Sequence, residues 1–68
     1  MNNFNKLLSK MTEKGYNQGT LAKAIGRGEN TLSAKLNNKV PFNATEIEAI
    51  VEVLEIAPQD IGYYFFSK

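Results

Sequence analysis

The chain is 68 residues long, has no cysteine and no histidine, and carries a formal net charge of +1. A single domain of this size buries only about 60% of its unfolded surface, and without thiols or imidazoles neither a disulfide nor a zinc site can brace it, so helix packing and self-association must stabilise it. The 43% hydrophobic content excludes a disordered tail, and no apolar run nears the roughly 18 residues of a membrane span.

Phe4, Leu7, Leu8 and Met11 follow i, i+3, i+4, i+7 spacing and predict a first helix over residues 3–14, with Lys6, Lys10, Glu13 and Lys14 outside the apolar stripe. Gly15 is placed to stop it. The same start, MNNFNKLLSKMTEK, lacks the apolar stretch of a signal peptide, so a cytoplasmic protein is expected. Asn17 can cap a second helix that turns Leu21, Ala22 and Ile25 inward, and Gly26-Arg27-Gly28 breaks it after two turns. A third helix is expected from Glu29 to Asn37, with Leu32 and Leu36 inward, followed by the turn Asn37-Asn38-Lys39 and an extended Val40-Pro41-Phe42.

Asn43 and Glu46 form a capping-box pattern ahead of Ile47, Ile50, Val51 and Leu54, which predict a fourth helix whose Glu48, Glu52 and Glu55 face solvent. Pro58 opens a short fifth helix to about Tyr64. Tyr63-Tyr64-Phe65-Phe66 then crowd the C-terminal tail, residues 62–68. Successive helical residues turn by about 100°, so four aromatics in a row cannot all reach the core. One or two of Tyr63, Tyr64, Phe65 and Phe66 are therefore expected on the surface, where they suggest a homodimer interface.

Charge is unevenly divided. Residues 1–39 carry a net +5 and residues 40–68 a net −4. The asymmetry suggests a basic face for an anionic partner, although the same charges fit ordinary solvated helix faces. Catalysis is not expected. The chain offers no histidine, no cysteine, no Gly-rich phosphate loop and no pocketed pair of carboxylates, and no cofactor or metal is implied.

Two short helices joined by a glycine-bearing turn, over about residues 17–37, form a helix-turn-helix signature. Ala22 lets the helices cross closely, Gly26 can take a positive φ, and Leu21, Ile25 and Leu32 wedge the pair onto the core. A helix held in this way can enter the major groove.

At Asn17-Gln18, Leu21-Ala22, Ile25-Gly26, Thr31-Leu32-Ser33 and Asn37-Asn38-Lys39 the sequence resembles the Cro/C1-type helix-turn-helix family of phage repressors. The run from Lys35 to Phe42, the Glu46-Ile47-Glu48 helix and the aromatic ending are similar to small phage-encoded Cro-like proteins, so the resemblance spans about Tyr16 to Phe66. It implies an all-α, five-helix, lambda-repressor-like DNA-binding domain filling residues 1–68 in a bacterial host cell.

The resemblance also implies roles. Gln18 would hold a phosphate, and Glu29, Asn30, Ser33 and Ala34 would face base edges, Asn30 gripping adenine, Glu29 a cytosine amino group and Ala34 a thymine methyl. Asn37 and Lys39 would contact the DNA backbone. Arg27-Gly28 departs from the family pattern of an apolar residue followed by a hydroxyl, leaving Arg27 either as a phosphate contact or as a solvated turn charge. Lys35 stands where the family is often apolar, which leaves the rotation of the third helix open by about one residue.

Two functions follow from this reading. The first is a dimeric repressor on a palindromic double-stranded operator, its reading helices about 34 Å apart. The second is a protein-binding antirepressor or antitoxin-like module that presents the second and third helices, or the aromatic tail, to a partner such as another repressor protein.

Overall fold

The computed structural model describes residues 3–66. Its helices are α1 (Asn5–Glu13), α2 (Gln18–Ala24), α3 (Glu29–Leu36), α4 (Ala44–Leu54) and α5 (Ile61–Phe65), with a 3-10 turn at Pro58–Asp60 leading into the last. There is no strand among the described residues, and none of these helices is long and apolar enough to cross a membrane. The all-helical, five-helix expectation therefore holds.

Local chemistry sets where each helix begins. Asn17 and Asn43 each accept a hydrogen bond from the backbone N–H three residues on, at 2.8 Å, and the side chains of Thr20 and Glu46 accept from the backbone N–H of Asn17 and Asn43 in return. Both are complete capping boxes, and they satisfy donors that would otherwise be stranded at the starts of α2 and α4.

The helix ends share one device. After α1, the Gly15 N–H donates to the Thr12 carbonyl at 3.0 Å and the Tyr16 N–H to the Met11 carbonyl at 2.8 Å. The same double closure recurs after α2, α3 and α4. It requires a left-handed residue at each exit, supplied by Gly15 (φ +84°) and Gly26 (φ +74°), and then by Asn38 (φ 62°) and Glu55 (φ 57°). Asparagine tolerates that conformation. Glutamate at position 55 holds it against a steric penalty.

The helices enclose one core. Phe4, Leu7 and Met11 of the α1 segment meet Leu21 and Ala22 of α2, Leu32 and Leu36 of α3, Ile50 and Leu54 of α4, then Ile56 and Phe65. Leu8, Ile25, Ile47 and Val51 are half-buried around it. Burying each of the largest side chains contributes about 1.5–3 kcal/mol before chain entropy is set against it. Phe42 links two ends of the chain: its ring lies edge-on to Phe4 at 5.3 Å and to Phe65 at 5.5 Å, anchoring the extended connector to the core.

Candidate functional site

The α2–α3 pair forms the face to which most of the site expectations attach. The two helices are joined by Ile25–Gly28, and Gly28 serves as the extended N-cap residue of α3 without a side-chain cap bond. Leu32 and Leu36 point into the core as expected, and Lys35 is buried beside them. This settles the rotation of α3. Glu29, Asn30 and Asn37 lie on the exposed side, Ser33 and Ala34 are half-buried along its edge, and Gln18 is half-buried at the start of α2.

Lys35 is drawn inward by Glu46, whose side chain is 3% exposed. The Lys35 Nζ and the Asn43 backbone N–H both donate to Glu46 Oε1, the latter at 3.0 Å, while the Arg27 Nε donates to Glu46 Oε2 at 3.0 Å. Burial pushes the Glu46 carboxyl up, but the hydrogen bonds from Lys35, from the Asn43 backbone and from Arg27 together outweigh it and hold the group down at about 2. A carboxylate on α4 thus binds the one basic residue of α3 and the arginine of the preceding turn. Arg27 pairs with Glu46 through Nε while its side chain stays 40% exposed.

Other side chains on this face also turn back. The Asn37 Nδ2 donates to the Ser33 carbonyl at 2.8 Å and contacts Ser33 Oγ at 3.3 Å, so its amide is spent on its own helix. Lys39 is exposed in the turn beyond α3. The Glu29 carboxylate lies across Gly19 of α2, where a Cβ would stand 3.2 Å from Glu29 Oε1 and 3.4 Å from Asn17 Oδ1. The outer side of α3 therefore carries one carboxylate and no available cation.

Glu46 was the functional residue that sequence reasoning missed. Its local pattern marks only half of a capping box, yet it precedes Ile50 by four residues and Leu54 by eight, squarely in the inward stripe of α4. An acid in that stripe, together with the two basic departures at 27 and 35, was the available signal.

The aromatic tail divides. Phe65 is buried and Tyr64 half-buried, whereas Tyr63 is 55% and Phe66 is 59% exposed. The Tyr63 ring is edge-on to Tyr64 at 5.1 Å and lies 4.7 Å beneath the Lys6 ammonium. Phe66 borders a shallow cleft of about 220 Å³ that is also lined by Phe4, Val40, Pro41, Phe42 and Ile47. Among the described residues no cluster of three or more potential metal ligands is present.

A family model described as "Protein of unknown function (DUF739)" matches residues 1–68. Among solved structures, the chain is similar to the modulator of repression (MOR) of the temperate bacteriophage TP901-1 from Lactococcus lactis, at 48% identity and a TM-score of 0.83, over 96% of this chain and 88% of that one. No curated protein sequence matches.

These findings correct the expectation of a Cro/C1-type repressor that reads an operator. The match is to a different family and to a protein described as modulating repression. The residues behind the resemblance explain the error: Leu21, Ala22, Ile25, Gly26 and Leu32 are packing and turn residues, which specify how two helices cross and not what they bind. The DNA roles expected of Gln18, Arg27, Glu29, Asn30, Ser33, Ala34, Asn37 and Lys39 were implied by that resemblance alone.

Proposed function

The chain belongs to the DUF739 family, and from that premise and its likeness to a modulator of repression we propose that it acts on a repressor by direct protein contact. The supporting observation is the burial of Lys35, the one basic residue of α3, against Glu46. Affinity for DNA comes largely from cations that neutralise phosphates, and α3 has none to offer. A repressor's own DNA-binding surface is basic by the same requirement. The outer side of α3, with the Glu29 carboxylate and the Asn30 carboxamide, complements such a surface and would cover it.

Covering that surface changes occupancy without any chemistry. A repressor held by this chain cannot hold its operator, and release follows by mass action. Tyr63 and Phe66 are the tail residues with enough free surface for two copies to associate, and a sedimentation comparison with the Tyr63→Ser/Phe66→Ser variant tests that separate contact.

The test uses a labelled operator duplex carrying a repressor from the same genome. Added chain should release the duplex, and the chain alone should leave it unbound. A repressor that stays on its operator at saturating chain, or a chain that binds the duplex itself, overturns the reading.

A further inference from the structure

Glu29 is the first residue of α3, and its carboxylate is seated on the α2 backbone at Gly19. The seat exists because residue 19 has no side chain: an added Cβ would meet Glu29 Oε1 at 3.2 Å and the Glu29 carboxyl carbon at 3.5 Å. No hydrogen bond or ion pair with a described residue occupies the carboxylate, and the residue is exposed. Its charge is therefore presented outward between the two helices. It stands beside a turn whose arginine is already committed to Glu46.

We infer that Glu29 determines which class of partner the α2–α3 face accepts: the carboxylate on Gly19 repels a nucleic-acid phosphate and pairs with a cationic side chain of a protein. The inference rests on the protein-contact reading and adds to it the residue that selects for it. A phosphate brought against the outer side of α3 meets a like charge at Glu29, while the one lysine of that helix, Lys35, is turned inward to Glu46. An arginine or lysine of a partner meets an acceptor with open lone pairs. Selection of this kind combines one attraction with one repulsion at the same atom.

The experiment compares Glu29→Gln and Glu29→Lys with Glu52→Gln and Glu52→Lys, which make the same charge changes at an exposed carboxylate on α4. Circular dichroism confirms that all four fold. Each is titrated into a labelled 20-base-pair duplex of mixed sequence at low salt, and into a purified repressor from the same genome. Relative to its position-52 counterpart, Glu29→Gln should weaken the repressor complex about fivefold and Glu29→Lys about tenfold or more. In the duplex arm, Glu29→Lys should bind about tenfold more tightly than Glu52→Lys, with the salt slope steepened by about one contact. Equal responses at positions 29 and 52 in both arms overturn the assignment. If the unaltered chain does not bind the repressor, the protein-contact reading is lost and the duplex arm alone decides: a gain confined to position 29 upholds the repulsion, and equal gains reject it.

Discussion

The Arg27 guanidinium donates through Nε to Glu46 Oε2 at 3.0 Å, while the other oxygen of the same carboxylate is held by Lys35. One buried acid thus fixes the turn before α3, the rotation of α3 and the start of α4. It also turns the one lysine of α3 away from the outer face of that helix.

Glu46→Ala should cost about 3–5 kcal/mol of folding stability, because it leaves the Lys35 ammonium buried without its partner. Replacing both, as Lys35→Met with Glu46→Leu, should recover most of that loss, less about 1 kcal/mol for the broken capping box. Urea denaturation of the single and double variants reads both numbers.

Acid should act through the same carboxylate. Glu46 has a folded value of about 2 against an ordinary 4.5, so its contribution is complete above pH 4.5. As pH falls through the window from about 4.5 to about 2, the unfolded chain takes up the proton first, and up to roughly 3 kcal/mol of stability is lost. Urea midpoints measured between pH 6 and pH 2 should fall across that window. Glu46→Gln should flatten this part of the profile while lowering the whole curve.

Glu55→Gly should stabilise the chain by about 0.5–1 kcal/mol by relieving a left-handed φ of 57°. The Lys14–Glu55 ion pair, at 3.1 Å, is lost in the exchange. It is exposed and offsets little of the gain. Thermal melts should show a midpoint a few degrees higher.

Much of the fold was legible in the sequence. Asn17 and Asn43 with their partners three residues on, the glycines at 15 and 26, and the inward spacing of Leu32 and Leu36 all state local rules that the tertiary structure obeys. The site was less legible because its decisive relationships cross the chain. Nothing local joins Arg27 to Glu46, nineteen residues away, or aims Glu29 at Gly19. The left-handed exit at Glu55 was hidden for a related reason, since its residue type argues against the conformation the packing imposes. The family expectation fails for a different reason: helix-crossing residues specify packing and not what the crossed helices bind.

Direct association of the chain with the DNA-binding domain of a repressor from the same genome, followed by calorimetry at 50 mM and 500 mM salt without DNA, tests the proposed mode of action most closely. Protein contact predicts a stoichiometric complex at both salts, with affinity changing by about tenfold or less, whereas phosphate-driven binding loses about 10³–10⁵ over a smaller salt range. Absence of a complex at either salt, with the chain alone binding operator duplex in a steeply salt-dependent way, is the result that contradicts it.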